Sequence, residues 1–148
     1  MATPATRTGT KLYLKIGDGG SPEVFSHPCL INAERGVAFR SSTNDVVVPD
    51  CTNPDDPAWR ELVKDALNVG LNGAGIMDNT VENYQAYTEW WKLDEARNVQ
   101  IWVDTLGYWS GAFKLTEWEI TGNRGEKINA SITLESDGIV SDFTPGTP

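Results

Sequence analysis

Apolar residues recur at every second position in several separate segments of this chain, and this period constrains the fold more than any other feature. Leu12, Leu14 and Ile16 alternate with polar or amphipathic neighbours, and segments 99–103 and 128–134 show the same alternation. Successive side chains of a β-strand point to opposite faces of the sheet, so this pattern is typical of half-buried strands. The sequence therefore predicts a mainly β protein.

Two longer strands are predicted in the first half of the chain, over residues 24–33 and 37–48. Gly36 lies in the short connection between them and permits the positive φ of a tight turn, so we expect these strands to pair as a hairpin. Residues 67–76 form a further predicted strand, which carries several glycines. Glycine inside a strand often marks the close approach of another segment, and we expect a packing partner there.

Segment 43–57 is predicted as a long loop. It is rich in proline, which cannot donate a hydrogen bond to a β-ladder, and in Asp and Asn, which favour turns. Asp56 and Pro57 suit the N-cap and first position of a helix. A short helical turn is therefore expected from there to Ala66.

One longer α-helix is predicted over residues 80–93, where the apolar period lengthens to about 3.6 residues. Asn79 followed by Glu82 resembles a capping box at the start of this helix. Its predicted buried face consists of Val81, Tyr84, Thr88 and Trp91, with Tyr87 beside it.

The buried face of one late strand changes side part-way along its length. Phe113 and Leu115 share one parity, whereas Trp118 and Ile120 share the other. Such a switch is typical of a β-bulge or of a strand that passes between two sheets. We expect it near Thr116.

The length of 148 residues fits a single domain, 1–148. Residues 1–10 and 142–148 contain few core-forming residues and are expected to be a mobile N-terminal arm and a C-terminal tail. No apolar run approaches the ~20 residues that span a bilayer, and the start of the chain lacks the apolar region of a signal peptide. We therefore expect synthesis in the cytoplasm and no membrane insertion.

Charge and cysteine content narrow the classes of partner. Twelve basic and twenty-one acidic residues give a net charge of −9. Tight binding of nucleic acid is disfavoured, because that affinity comes largely from Lys and Arg that displace counterions. Cys29 and Cys51 match no metal-binding spacing and are expected to be buried free thiols.

A search for catalytic or metal-binding motifs finds no strong candidate. His27 is the single histidine, and no Ser or Cys lies in a nucleophile elbow. The acidic residues of segment 50–56 miss the spacing of a calcium loop. Glu117 and Glu119 could form a carboxylate pair, but acids two apart on a solvated strand are commoner without catalysis. We expect no enzyme activity, no metal and no cofactor.

The six tryptophans leave a second class of function open. They are expected to serve the core and subunit contacts, but exposed tryptophans on a β-sandwich would also suit stacking against sugars. A carbohydrate-binding β-sandwich is therefore the alternative. A small glycosidase, resting on Glu117 and Glu119 alone, comes last.

Several longer segments carry a resemblance to a known family. They are KLYLKIGDGGSPEVF, NDVVVPD before WREL, LNVGLNGAGIMD, and QIWVDTLGYWSGAFKLTEWEITGNRGEKINASITLESDG after the helix. Over nearly its whole length, the chain resembles the siphophage major tail tube proteins, including those of gene transfer agents. The resemblance implies a β-sandwich or half-barrel with one flanking helix. It also implies hexameric rings whose inner strands form a continuous barrel, stacked into a tube that conducts DNA from capsid to host cell.

The resemblance implies that six subunits give four inner strands each. With a spacing between strands of ~4.8 Å and a strand tilt of ~40°, these strands close a barrel with a backbone diameter of roughly 48 Å. Duplex DNA would pass through it without tight binding, and other tail proteins would meet the tube at its ends. The expected channel-lining residues are Arg40, Ser42, Asp104, Glu117 and Glu119. The expected ring-stacking residues are Asn44, Asp45, Val46, Val47, Val48, Pro49, Asp50, Asp55 and Asp56, together with the N-terminal arm.

Overall fold

A computed structural model describes residues 3, 5–18, 23–28, 31 and 33–146. Within them, a 3-10 turn at Gly9–Lys11 precedes an α-helix and eight strands, so the mainly β prediction is confirmed. The elements are β1 Leu12–Gly17, β2 Phe25–Ser26, β3 Glu34–Val47, β4 Arg60–Ile76, α1 Val81–Lys92, β5 Arg97–Val103, β6 Gly107–Thr121, β7 Asn129–Ser136 and β8 Thr144–Pro145. No helix in these described ranges is long and apolar enough to cross a membrane.

The strands form one antiparallel sheet in the order β2-β1-β5-β6-β7-β4-β3, and β8 pairs with β6 where β7 has ended. The two outermost strands of this order do not pair with each other, so the sheet is not closed. It curves nevertheless, since Arg35 Nη1 at the start of β3 donates to the Leu12 carbonyl of β1 at 2.9 Å. This curved, open sheet agrees with the expected half-barrel.

One face of the sheet carries the hydrophobic core and is called the covered face. Helix α1 packs on it through Trp90, which is fully buried, and through Tyr87, whose ring stacks on Trp118 with centroids 5.1 Å apart. The core residues of this face are Leu14, Ile31, Val69, Leu71, Met77, Trp90, Val99, Ile101, Phe113, Leu115, Ala130, Ile132 and Leu134. Removing this apolar surface from water is the main force that stabilises the subunit.

The helix found at Val81–Lys92 is one residue shorter at each end than the predicted 80–93, and its predicted buried face is partly wrong. Tyr84 and Tyr87 pack against the core as expected, whereas Val81 and Trp91 are exposed and Trp90 is buried instead. The adjacent tryptophans could not be distinguished by period alone. Trp90 packs against the sheet, where the Arg97 guanidinium lies 4.7 Å from its ring centroid.

The predicted capping box is also wrong. Thr80, not Asn79, is the N-cap residue, and its side chain makes no capping hydrogen bond. The Asp78 carboxylate instead accepts hydrogen bonds from the Thr80 hydroxyl and the Asn83 amide. An acidic side chain at this end of a helix also suits the helix dipole.

The predicted hairpin between residues 24–33 and 37–48 is wrong. Gly36 lies inside β3, which runs unbroken from Glu34 and pairs with β4 across fourteen residue pairs. A Cβ at Gly36 would meet the Asn72 side-chain oxygen at 2.5 Å, so this glycine makes room for a neighbouring strand rather than for a turn.

The short helix predicted as far as Ala66 is wrong as well, because β4 begins at Arg60. The local signal of Asp56 and Pro57 is overridden by pairing with β3. The predicted loop 43–57 likewise starts later, since β3 continues to Val47.

Two predictions are confirmed: the change of buried face along β6 and the packing partner of the glycine-containing strand β4. The register of β6 against β7 shifts between Leu115 and Glu117, which places a bulge at Thr116. Gly73 has a close packing partner, since a Cβ there would lie 2.7 Å from the buried Ile31 side chain.

The C-terminal segment is docked rather than free. Phe143 packs against Trp109 with ring centroids 4.8 Å apart, and the Gly146 amide donates to the Leu106 carbonyl. Thr144 and Pro145 thus extend the sheet beside β6, and the mobility expected for 142–148 stays a prediction. Cys51 is a free thiol but is exposed, not buried as predicted, and Cys29 lies outside the described residues.

Candidate functional site

The face of the sheet opposite the core is polar. Antiparallel pairing places Glu117 opposite Thr133 and Glu119 opposite Ser131, while Trp118 between them faces the core. On β3 the same alternation places Arg40 and Ser42 on the side away from the core residue Val69. Four of the five predicted channel-lining residues therefore share one surface, which is called the polar face.

Hydrogen bonds organise the middle of the polar face. Arg40 Nη1 donates to Glu135 Oε1 at 3.2 Å, and Asn68 Nδ2 donates to Glu135 Oε2 at 3.1 Å. Gly70 makes this possible, because a Cβ there would lie 2.8 Å from Arg40 Nη1. Strands β3, β4 and β7 are thus joined by side chains on this face as well as by their backbones.

The polar face is mildly acidic. By strand alternation its charged residues on β3, β6 and β7 are Glu34, Arg40, Lys114, Glu117, Glu119 and Glu135. On these three strands, four carboxylates against two cations leave a net charge of −2. The acids at 117 and 119 are exposed at the edge, whereas Glu135 is half-buried beside Arg40.

The Lys114 side chain forms an ion pair with Asp94, which follows the end of helix α1. Its Nζ lies 2.6 Å from Asp94 Oδ1 and 3.9 Å from Asp137 Oδ2. The hydrogen bond from Lys114 lowers the pKa of Asp94, and the same bond raises the pKa of Lys114.

Asp104, the fifth predicted channel-lining residue, lies elsewhere. It follows β5 in a turn, with a positive φ of 47°, and its carboxylate accepts a hydrogen bond from Arg7 at 3.0 Å. The structure therefore does not bring it together with the other four. Its position in a turn depends on the β5–β6 pairing, which strand parity alone could not locate.

A long hairpin, called the arm, projects from the sheet. It consists of residues 39–47 of β3, residues 60–68 of β4 and the connecting segment 48–59, and nearly every residue in it is exposed. Its exposed large apolar side chains are Phe39, Val46, Val47, Val48, Trp59, Leu62, Val63 and Leu67. All nine predicted ring-stacking residues lie in this arm and are exposed. A surface with so many exposed apolar side chains is typical of an interaction site.

Several strand edges have no strand partner among the described residues, and two of them lie on opposite sides of the four strands β6, β7, β4 and β3. One is the outer edge of β3 from Val37 to Val47, since β3 is the last strand of the sheet. The other belongs to β6 from Lys114 onwards, because β5 pairs with β6 only as far as Phe113. Such edges are templates for pairing with another chain.

An apolar pocket of about 660 Å³ opens at the base of the arm. It forms where the arm diverges from the C-terminal segment, and Trp109 lies between Phe39 and Phe143 with centroid distances of 5.1 and 4.8 Å. Its apolar lining consists of Phe39, Leu67, Val69, Trp109, Ile139, Val140 and Phe143. Residues from four separate segments meet here, so no sequence pattern predicts this pocket.

The described residues contain no cluster of His, Cys, Asp and Glu that could hold a metal ion. His27 is engaged by the backbone, with Nε2 2.7 Å from the Ile31 carbonyl and Nδ1 near Leu14. Trp90 and Trp102 are buried, Trp118 stacks on Tyr87, and Trp59 and Trp91 are exposed on separate elements. The exposed tryptophans therefore do not form a common platform for a sugar.

Comparison with known proteins matches this chain to one protein family. A family model described as phage tail tube protein matches residues 6–142. No curated protein matches the sequence.

Three solved structures share the fold. The chain is 20% identical to a chain in the virion of a native gene transfer agent particle, with a TM-score of 0.73 over 94% of this chain and 99% of that one. It is 21% identical to a chain in the tail of an empty gene transfer agent particle with C6 symmetry, with a TM-score of 0.74 over 94% and 99%. It is 9% identical to the SPP1 tail tube, with a TM-score of 0.63 over 95% of this chain and 79% of that one.

Proposed function

Because the chain belongs to the phage tail tube protein family, we propose that it forms hexameric rings that stack into a hollow tube, and that this tube conducts DNA from capsid to host cell. Membership confirms the resemblance found in the sequence and makes the chain a structural subunit of a virion tail, not an enzyme. The six-fold ring is supported by the similar fold of a chain in a tail with C6 symmetry.

The unpaired edges of β3 and β6 carry this proposal. Strands β6, β7, β4 and β3 alternate in direction, so β3 is antiparallel to β6. The free edge of β3 in one subunit can therefore pair with the free edge of β6 in the next, and the antiparallel order continues across the seam. Repeating this contact closes a ring and removes both exposed edges.

Side-chain charge supports the same seam. Arg40 lies on the polar face of β3, and Glu117 and Glu119 lie on the polar face of β6, at opposite edges of the four strands. Pairing of the edges brings opposite charges together, and opposite charges on neighbouring strands are stabilising. On the covered face, the exposed Phe39 of one subunit would meet the exposed Ile120 of the next.

Charge reversal tests the seam. We expect Arg40→Glu to fold but to remain in small species, because like charges then face each other across every seam. The variant that combines Arg40→Glu with Glu117→Arg and Glu119→Arg should recover ring formation. Rings are detected by light scattering and negative-stain microscopy. If Arg40→Glu forms rings as readily as the unchanged chain, the β3–β6 seam is wrong.

In such a ring the polar face lines the channel, since helix α1 covers the other face. Arg40, Ser42, Glu117 and Glu119 then face the DNA, which a mildly acidic wall holds only weakly because few cations are offered to its phosphates. Tail proteins would bind the ends of the tube, after synthesis and assembly in the cytoplasm.

A lysine in the middle of this face tests the channel assignment without disturbing the seam. Thr133→Lys on β7 should assemble normally and slow DNA ejection at low salt, because lysine adds phosphate contacts along the wall. Lys substitution of the exposed Ser26 on β2 is the control, since β2 lies at the other side of the sheet. Equal ejection rates for both variants would show that the polar face does not line the channel.

A further inference from the structure

The apolar pocket at the base of the arm lacks a cover in the single subunit. Its volume of about 660 Å³ lies in the range of sites that receive a large apolar group. Ile139 at its rim is 92% exposed. Exposed apolar surface of this kind is unfavourable in water, so the pocket is suited to an apolar partner.

The same chain carries a projecting, exposed apolar side chain that could fill such a pocket. Trp59 ends the connecting segment of the arm and is 90% exposed. Among the exposed large apolar side chains of the described residues, Ile139 and Trp59 have the two highest exposures. Tryptophan buries a large area and is enriched among the residues that anchor protein interfaces.

Trp59 cannot enter the pocket of its own subunit. Arg60, its neighbour, pairs with Val47, and Phe39 at the pocket is eight residues back along β3. In an extended strand this separation is about 26 Å. An occupant with the chemistry of Trp59 must therefore come from another copy of the chain.

We propose that the pocket receives Trp59 from the arm of a second copy in the adjacent ring. The projecting residue and the pocket are different surfaces of one chain, so their contact is heterologous and leaves a free arm at one end of the assembly and a free pocket at the other. A contact of this type propagates in one direction, as ring stacking requires. This inference rests on the proposed tube.

Cross-linking between two variants tests the contact directly. One protein carries Ala58→Cys, next to the intact Trp59, and the other carries Asp142→Cys at the rim of the pocket. Both are made in a background with Cys29 and Cys51 replaced by serine, and are mixed under assembly conditions and oxidised. We expect a disulfide-linked dimer of the two proteins, and its loss when Trp59→Ala is added to the first. Val81→Cys on the exposed side of α1 replaces Asp142→Cys in the control and should give no cross-link.

Assembly of single variants separates this contact from the ring itself. Trp59→Ser and Ile139→Asp should form rings but raise the subunit concentration needed for tubes by about tenfold or more, the scale of losing an anchoring aromatic. Trp59→Phe should retain stacking, and Val81→Asp should leave it unchanged.

The two proposals can fail separately. Tubes without the cross-link between positions 58 and 142, or normal tubes from Trp59→Ser, would overturn the docking contact while leaving the ring intact. The cross-link in an assembly without rings would support the contact and overturn the proposed tube. No cross-link in any assembly would overturn the contact.

Discussion

Strand β4 divides into two regions with opposite surroundings, although it is continuous from Arg60 to Ile76. From Val69 to Gly75 most of its residues are buried, whereas every residue from Arg60 to Asn68 is exposed. The first region, with its partner strands and α1, is called the body, and the second belongs to the arm. Pairing with β3 runs through both regions, with one register shift in the arm between Ser42 and Thr43. The backbone ladder therefore does not distinguish the two regions, and side-chain packing does.

The difference shows which part of the fold the single subunit stabilises by itself. In the body, β4 lies between β3 and β7 and is covered on one face by core side chains such as Ile31. In the arm, β4 has β3 alone as partner and apolar residues exposed on both faces. An isolated two-stranded hairpin is marginally stable at best. The arm is thus an element that other copies of the chain must complete.

The largest expected difference between the arm and the body is in the rate of amide hydrogen exchange. In the isolated subunit, arm amides should open with free energies near zero and body amides near the global value, a difference of about 5 kcal/mol or more. Assembly should protect the arm and leave the body nearly unchanged. Exchange followed by mass spectrometry measures both states. Equal protection of arm and body in the isolated subunit would contradict the division.

The next contrast is between two apolar truncations. Phe113→Ala should lower the free energy of unfolding by about 3–5 kcal/mol, because Phe113 is fully buried in the core. Leu62→Ala in the arm should change it by less than about 0.5 kcal/mol, since Leu62 is 56% exposed. Urea denaturation of isolated subunits measures both. A comparable loss from Leu62→Ala would mean that the arm packs on its own body.

A smaller loss of stability is expected when a methyl group is added at a closely packed glycine of the body. Gly73→Ala places a Cβ within 2.7 Å of the buried Ile31 side chain and should cost about 1–3 kcal/mol of stability. Gly122→Ala is the matched control, because a Cβ at Gly122 meets no atom within 4 Å. The same denaturation experiment applies, and equal stability of the two variants would argue against close packing of Ile31 on β4.

The division between body and arm also explains what the sequence could predict. Alternation identified β1, β5 and β7 because one face of each carries apolar core residues at every second position, and it located the bulge at Thr116. It failed for residues 60–66, since Leu62 and Val63 are both exposed and so carry no alternation. A strand without a core leaves no periodic signal in its own sequence.

Pairing and the candidate sites depend on contacts that are distant in sequence. The local turn signal at Gly36 predicted the wrong hairpin, because the true partner of β3 follows a connection of twelve residues, 48–59. Strand parity was sufficient to bring Arg40, Glu117 and Glu119 to one face. It could not place Asp104 in a turn or assemble the apolar pocket, which requires the three-dimensional meeting of the arm, β6 and the C-terminal segment.

The smallest expected effect concerns an exposed ion pair of the body. Lys114 lowers the pKa of Asp94 through their hydrogen bond, so Asp94 binds its proton less readily in the folded chain than in the unfolded chain. A depressed folded-state pKa stabilises the fold above the ordinary pKa of the carboxyl, and that stabilisation is lost as the pH falls through the depressed value. The contribution is small because both side chains reach solvent.

Lys114→Met should therefore return the titration midpoint of Asp94 towards its ordinary value and make stability fall less steeply in acid. Lys127→Met, in the turn between β6 and β7, is the control and should leave the midpoint where it is. Carboxyl carbon shifts measured by NMR against pH report the midpoint directly. An unchanged midpoint in Lys114→Met would show that the pair does not persist in solution. The join between the end of α1 and β6 would then depend on the packing of Tyr87 against Trp118, as apolar contacts determine the rest of the body.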